Sequence, residues 1–242
     1  AACLGDVDGY VAQFDAKQLA WPPTAADVAA HLLQAGRSQQ ALAVLDGAAR
    51  AAAAWHSPEW DDTRIAVLEA LGRNDEAQQL RWACFAKTLS ASHLRQHLKR
   101  LAAFEDVEAE GRAFAVAEDH PMRLLALDFF VRWPAVARAG RLVLAHGPDW
   151  DGEAYEILAL AAERLSAEQP LAATVLLRSM LVFALSTGRT KRYRHAAEHL
   201  GICELLAARI DDWQGLERHE SFVGRIREAF GGRWSFWSLV ER

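Results

Sequence analysis

LLQAGRSQQALAVL at residues 32–45 and LEALGRNDEAQQLR at 68–81 decide the fold. Aligned, Leu32 falls on Leu68, Gly36 on Gly72, Arg37 on Arg73 and Ala41 on Ala77, an offset of 36 residues. That period is close to the roughly 34 residues of a tetratricopeptide unit. Each stretch reads as helix, turn, helix. Gly36 and Gly72 allow the left-handed turn between two antiparallel helices, and Ala41 and Ala77 let the helices approach closely. A hairpin of this kind cannot bury its faces alone and must stack on neighbours.

Outward from the repeat the chain stays helical. Val, Ile, Thr and Tyr do not cluster in alternating runs, and no hairpin dipeptide sits between such runs. Ala, Leu, Glu, Arg and Gln dominate, all good helix formers. Apolar residues recur at three and four, as in Leu158, Ala161, Ala162 and Leu165. Punctuation divides the chain into helices at roughly 6–17, 24–35, 38–53, 60–71, 74–89, 91–102, 105–119, 121–132, 134–146, 151–167, 169–187, 190–209, 215–230 and 233–240. Ser38, Asn74, Ser90 and Thr190 are the expected N-caps; Pro121, Pro134 and Pro170 suit first-turn positions. The expected fold is all-α, antiparallel helical hairpins stacked as a tetratricopeptide-like, irregular α-solenoid. One domain spans 1–242, with its clearest repeats at 24–53 and 60–89 and capping helices over 190–242. Because the numbering opens on Ala1, it is expected to be the C-terminal part of a longer protein.

Composition excludes several classes. A net charge of -5 argues against a general nucleic-acid binder. No run nears the roughly eighteen apolar residues of a membrane span, and no basic-then-apolar leader opens the chain. Cys3, Cys84 and Cys203 are too few and too far apart for a disulfide framework or a metal knuckle. Cys84 and Cys203 lie on apolar helical stripes, as buried thiols do, which fits a reducing cytoplasm.

Longer motifs carry a resemblance. EWDDTRIAVLEALGRNDEAQQLRWACFAKTLSASHLRQHLKRL at 59–101, FEDVEAEGRA at 104–113 and HPMRLLALDFFVRWPAVARAGRLVL at 120–144 are three of them. QPLAATVLLRSML at 169–181, RYRHAAEHLGICELLAARIDDW at 192–213 and RWSFWSLVE at 233–241 complete the set. Together they resemble a bacterial family of unknown function over nearly the whole chain. From about 154 onward the chain is also similar to the helical C-terminal region of bacterial SWIM zinc-finger proteins. The Cys/His zinc cluster of those proteins has no counterpart in these residues, so the likeness implies no metal site. Family members carry a His and a Lys near the corner where Phe230, Gly231, Gly232 and Arg233 stand here, which removes a basic role from it.

Three constellations bear on chemistry. His195-Ala-Ala-Glu198-His199 matches the H-x-x-E-H pattern in which two His bind zinc and the Glu activates water. Glu217, His219 and Glu220 are the nearest candidates for a third ligand. Against it, two histidines on an Ala-rich helix pack like any others, and the resembling family often has Arg where Glu198 stands. Arg189, Lys191, Arg192 and Arg194 place four cations at a helix start, where the macrodipole favours anions. They either recognise an acidic or phosphate group or pair with carboxylates such as Glu198, Glu204 and Asp211. Trp213, Phe222, Phe230, Trp234, Phe236 and Trp237 crowd the C-terminus, where a last helix must seal the core.

No phosphate-cradling glycine loop, nucleophile elbow or dinucleotide fingerprint is present. The expected function is a protein–protein interaction or scaffold module without a cofactor, holding a protein or peptide partner through Arg189, Lys191, Arg192 and Arg194. The alternatives are a metal-dependent hydrolase with His195 and His199 as ligands and Glu198 as base, or a phosphate- or RNA-binding module on the same cations.

Overall fold

The computed structural model describes residues 6–54, 57–102 and 104–241, which leaves Cys3 outside. Among the described residues every regular element is helical. The chain falls into two compact units, Ala1–Ala113 and Phe114–Arg242.

The first unit holds α1 (Val7–Val11), α2 (Ala16–Leu19), α3 (Pro22–Gln34), α4 (Ser38–Ala54), α5 (Pro58–Ala70), α6 (Asn74–Thr88) and α7 (Ala91–Leu98). The repeated stretch forms the α3–α4 and α5–α6 turns, and the two match bond for bond. Gly36 and Gly72 have φ of 75° and 74°. The amides of Gly36 and Arg37 donate to the Leu33 and Leu32 carbonyls at 2.9 Å; those of Gly72 and Arg73 donate to Glu69 and Leu68 at 2.9 Å. Ala41 and Ala77 are fully buried. Helix α3 packs on both α4 and α5, and α6 packs on α5 and α7. Ala25, Val28, Ala29 and Leu32 of α3 meet Ala41, Leu45 and Ala48 of α4 at helical spacing. The Trp60 indole N–H donates to the Leu45 carbonyl at 3.3 Å and pins α5 to α4.

One cation sits inside this unit. Arg81 of α6 is 1% exposed, and its Nη2 lies 2.6 Å from Glu69 Oε1 on α5. Arg100, just beyond α7, places Nε 2.7 Å from the same oxygen. Glu69 thus ties three segments together.

Local chemistry moves several expected boundaries. The helix expected at 6–17 is instead two short ones, because Asp15 and Gln18 form a reciprocal capping box that starts α2 afresh. Ser90 caps α7 as expected, accepting from the His93 amide. Asn74 and Thr190 are not caps; their elements begin on those residues, and the preceding Arg73 and Arg189 offer no side-chain acceptor. Pro121 and Pro134 stand ahead of the following helices, since the Met122 amide turns back on His120 and the Ala135 amide closes on Phe130.

Helix α8 (Glu105–Glu118) leads into the second unit, which contains α9 (Arg123–Arg132), α10 (Val136–His146), α11 (Tyr155–Leu165), α12 (Pro170–Ser186), α13 (Tyr193–Ala207), α14 (His219–Phe230) and α15 (Trp234–Val240). A 3₁₀ turn, Thr190–Arg192, precedes α13. Helix α12 is apolar nearly all round and packs against α10, α11, α13 and α14. Phe222 and Phe236 are sealed into the core with Trp213 and Trp237, while Trp234 stays 77% exposed. Among the described residues no helix is long and apolar enough to cross a membrane.

Removing Glu69 leaves a buried guanidinium without its carboxylate. Glu69→Ala is expected to cost about 2 kcal/mol, less than a fully buried pair because Glu69 is partly open to water. Urea denaturation measures it; a loss within experimental error would show that Arg81 does not need Glu69.

Candidate functional site

The four cations read from the sequence gather where α12 turns into α13. Helix α12 ends at Ser186, Gly188 turns the chain, and the 3₁₀ turn that follows Arg189 brings Arg189 and Arg192 to the same ring, Phe183. Arg189 Nη2 lies 2.7 Å from Glu153 Oε1, and its guanidinium sits 5.0 Å over the Phe183 ring. Arg192 lies 5.6 Å over Tyr155 and 5.8 Å from the Phe183 ring centre, with a buried Nη1 that finds no hydrogen-bond acceptor. Arg194 is exposed and places Nε 3.2 Å from Glu198 Oε1. Lys191 is exposed.

The His-x-x-Glu-His residues line the same side of α13. His195 Nδ1 is 3.2 Å from Glu198 Oε2, and the Tyr155 ring packs against both His195 and His199. His195 is solvated, whereas His199 is buried with both ring nitrogens unpartnered. Burial, aided by the nearby His195, pushes the His199 imidazole down to about 4. Hydrogen bonds from His195 and Arg194 hold the Glu198 carboxyl below its ordinary range, so it is a weak base. Glu217, His219 and Glu220 do not complete the pair: among the described residues no three His, Cys, Asp or Glu side chains are placed to hold one ion.

The second unit also contains a cavity of about 560 Å³, and sequence reasoning missed it. The segment 148–152 lies over α12 on one side and the start of α14 closes the other. Gly152 presses so closely on α12 that a Cβ there would overlap the Ser179 carbonyl and Phe183. Trp150, Val175, Val182, Leu216 and Phe222 supply apolar wall, and Phe183 lines both the cavity and the cationic rim. Arg178 and Arg225 are its two cations. The signal for Arg178 was present in the chain: it is the single charge between Pro170 and Ser186.

The resemblance carried by the motifs between 59 and 241 extends further. The sequence pattern of a family of unknown function matches residues 1–239. The chain belongs to that family, DUF6880. No curated protein matches it, and no solved structure does.

In this DUF6880 chain His199 ties stability to pH. An unfolded imidazole protonates near 6.5 and the folded one only near 4. Between these values the unfolded chain binds a proton that the folded chain refuses. The contribution is therefore complete above about pH 6.5 and is lost as pH falls toward 4, by at most ~3 kcal/mol. His199→Leu removes the titrating ring while keeping the site apolar. Relative to the wild type, the variant should gain stability between pH 7 and pH 4.5 in parallel denaturation curves. An offset that does not change with pH would show that His199 is protonated in the folded protein as easily as in the unfolded one.

Proposed function

We propose that this protein is a non-catalytic interaction module of stacked antiparallel helical hairpins, and that the rim formed by Arg189, Lys191, Arg192 and Arg194 holds an acidic segment of a protein partner. The matched α3–α4 and α5–α6 hairpins carry this reading. Two units with the same turn glycine, the same paired carbonyls and the same buried alanine are what a tetratricopeptide-like array is made of. The function inferred from such an array is an analogy between folds; the rim gives it a location.

The chemistry of the rim suits exchange. Arg189–Glu153 and Arg194–Glu198 are solvent-exposed pairs that water and salt weaken, so a partner's carboxylates can replace Glu153 and Glu198 at little cost. Arg192 is held against Tyr155 and Phe183, so its guanidinium is oriented before any partner arrives. We place the module in a reducing cytoplasm, which suits the free, buried thiols Cys84 and Cys203.

Reversing the four cations to Glu tests the reading. The wild-type chain should capture a partner from its host's lysate that elutes as salt is raised, and the reversed chain should lose it while keeping its helical circular dichroism. Recovery of the same proteins by both chains, or of none by either, would overturn the proposal.

A further inference from the structure

One stripe of α12 forms the floor of the cavity in the second unit: Val175, Arg178, Ser179, Val182, Phe183 and Ser186 recur at three and four. Trp150, Leu216 and Phe222 add apolar wall from the segments that stand over it. The charges around this space cancel, since Arg178 and Arg225 are matched in number by Asp151 and Glu217. Arg225 gives Nε and Nη2 to the Glu217 carboxylate at 3.0–3.2 Å. Arg178 is turned into the protein. Its Nη1 donates to the Glu217 main-chain carbonyl at 2.6 Å, and the Cys203 thiol stands within hydrogen-bond reach. Its Nε and Nη2 are closed to solvent, and its guanidinium lies 4.3 Å over the Phe222 ring.

Neither sign of charge is welcome among these walls. An anion finds no exposed nitrogen of Arg178 and would lose its hydration in apolar surroundings. A cation is repelled by the buried guanidinium, whose field is little screened. Asp151 is exposed and accepts from the Glu153 amide at 2.9 Å, so it offers a cation no more than any surface carboxylate does. The hydroxyls decide what polar group fits. A serine hydroxyl has one proton and two acceptor lone pairs. Ser179 spends its proton on the Val175 carbonyl at 3.0 Å, and Ser186 spends its own on the Phe183 carbonyl at 3.1 Å. The Trp150 indole N–H is turned to the Val143 carbonyl at 3.4 Å. What these groups leave for a guest is lone pairs, and those of half-buried Ser179 lie on the floor.

We propose that this cavity binds a small neutral molecule with an apolar body and one hydroxyl group, an alcohol or a phenol, whose O–H donates to Ser179 Oγ. The volume of about 560 Å³ lies within the range of roughly 300 to 1,000 Å³ that small ligands occupy. Val182, Leu216 and Phe222 take the apolar body, and the cancelled charges match a guest that carries none. A guest that only accepts hydrogen bonds leaves Ser179 without a donor. This inference is independent of the partner docked on the rim.

Titration of the full chain with 4-phenylbutan-1-ol, its methyl ether, 4-phenylbutanoate and 4-phenylbutylammonium, followed by nuclear magnetic resonance, tests it. The alcohol should bind saturably, shift the Trp150 indole signal, and bind about tenfold more tightly than either charged analogue. The ether should bind about fivefold more weakly than the alcohol, the loss of one hydrogen bond. Ser179→Ala should bring alcohol and ether to equal affinity. Val182→Trp, which fills the cavity, should abolish binding of both while helical circular dichroism is retained. If Val182→Trp fails to fold, Ser179→Ala and the four analogues still decide. A charged analogue or the ether binding as tightly as the alcohol, or a preference that survives Ser179→Ala, would overturn the proposal. So would unchanged binding in a folded Val182→Trp, or no saturable binding of the alcohol.

Discussion

Helix α12 has no polar face, and the second unit is arranged around that constraint. Eleven of its residues are buried, from Leu171 to Leu185. A helix that is apolar nearly all round is stable in water only when other elements cover most of it. Among the described residues α10, α11, α13 and α14 do so here. Burying each leucine-sized side chain is worth about 1.5–3 kcal/mol, so this one helix supplies a large share of the unit's driving force. Arg178 is the exception on that surface. Its environment follows from the helix it occupies, because α12 is packed against by four others. Trp213 and Phe222 meet its flat faces, and the Glu217 carbonyl meets one edge.

The first unit solves a related problem differently. Its α3–α4 and α5–α6 hairpins are joined by tight glycine turns, and its contacts run between elements near in sequence. Small side chains set the spacing: Ala25, Ala29, Ala41, Ala48 and Ala77 are all buried. Where a large polar group enters this core, as at Arg81, a carboxylate from the facing helix meets it. The two units thus treat a buried guanidinium in opposite ways, one with an ion pair and the other with aromatic faces and a carbonyl.

What was legible in the sequence was local. Gly36 and Gly72 announced their turns because the left-handed backbone depends on one residue and its carbonyl partners. The buried thiols of Cys84 and Cys203 followed from helical spacing. The break between α1 and α2 was missed because a capping box of Asp15 and Gln18 outweighed the surrounding helix propensity. The cations at 189–194 were visible as a cluster, but the pairing of Arg189 with Glu153 spans 36 residues and has no local signature. The His-x-x-Glu-His spacing was equally visible, yet spacing does not reveal that one ring is buried and the other solvated. The cavity was least legible of all, since its wall needs segment 148–152, α12 and α14 brought together by packing.

Phe183 shows how one side chain can join two different electrostatic environments. On the rim it supports Arg189 and Arg192, and the Glu153 carboxylate that pairs with Arg189 is screened by water and by salt. On its cavity side the walls are apolar, and the field of Arg178 is weakened far less. An anion on the rim therefore gains mainly in rate of encounter and in salt-dependent attraction, with affinity spread over several exchangeable contacts. The same residue type is thus screened by solvent in one place and held against aromatic rings in the other, and burial makes the difference.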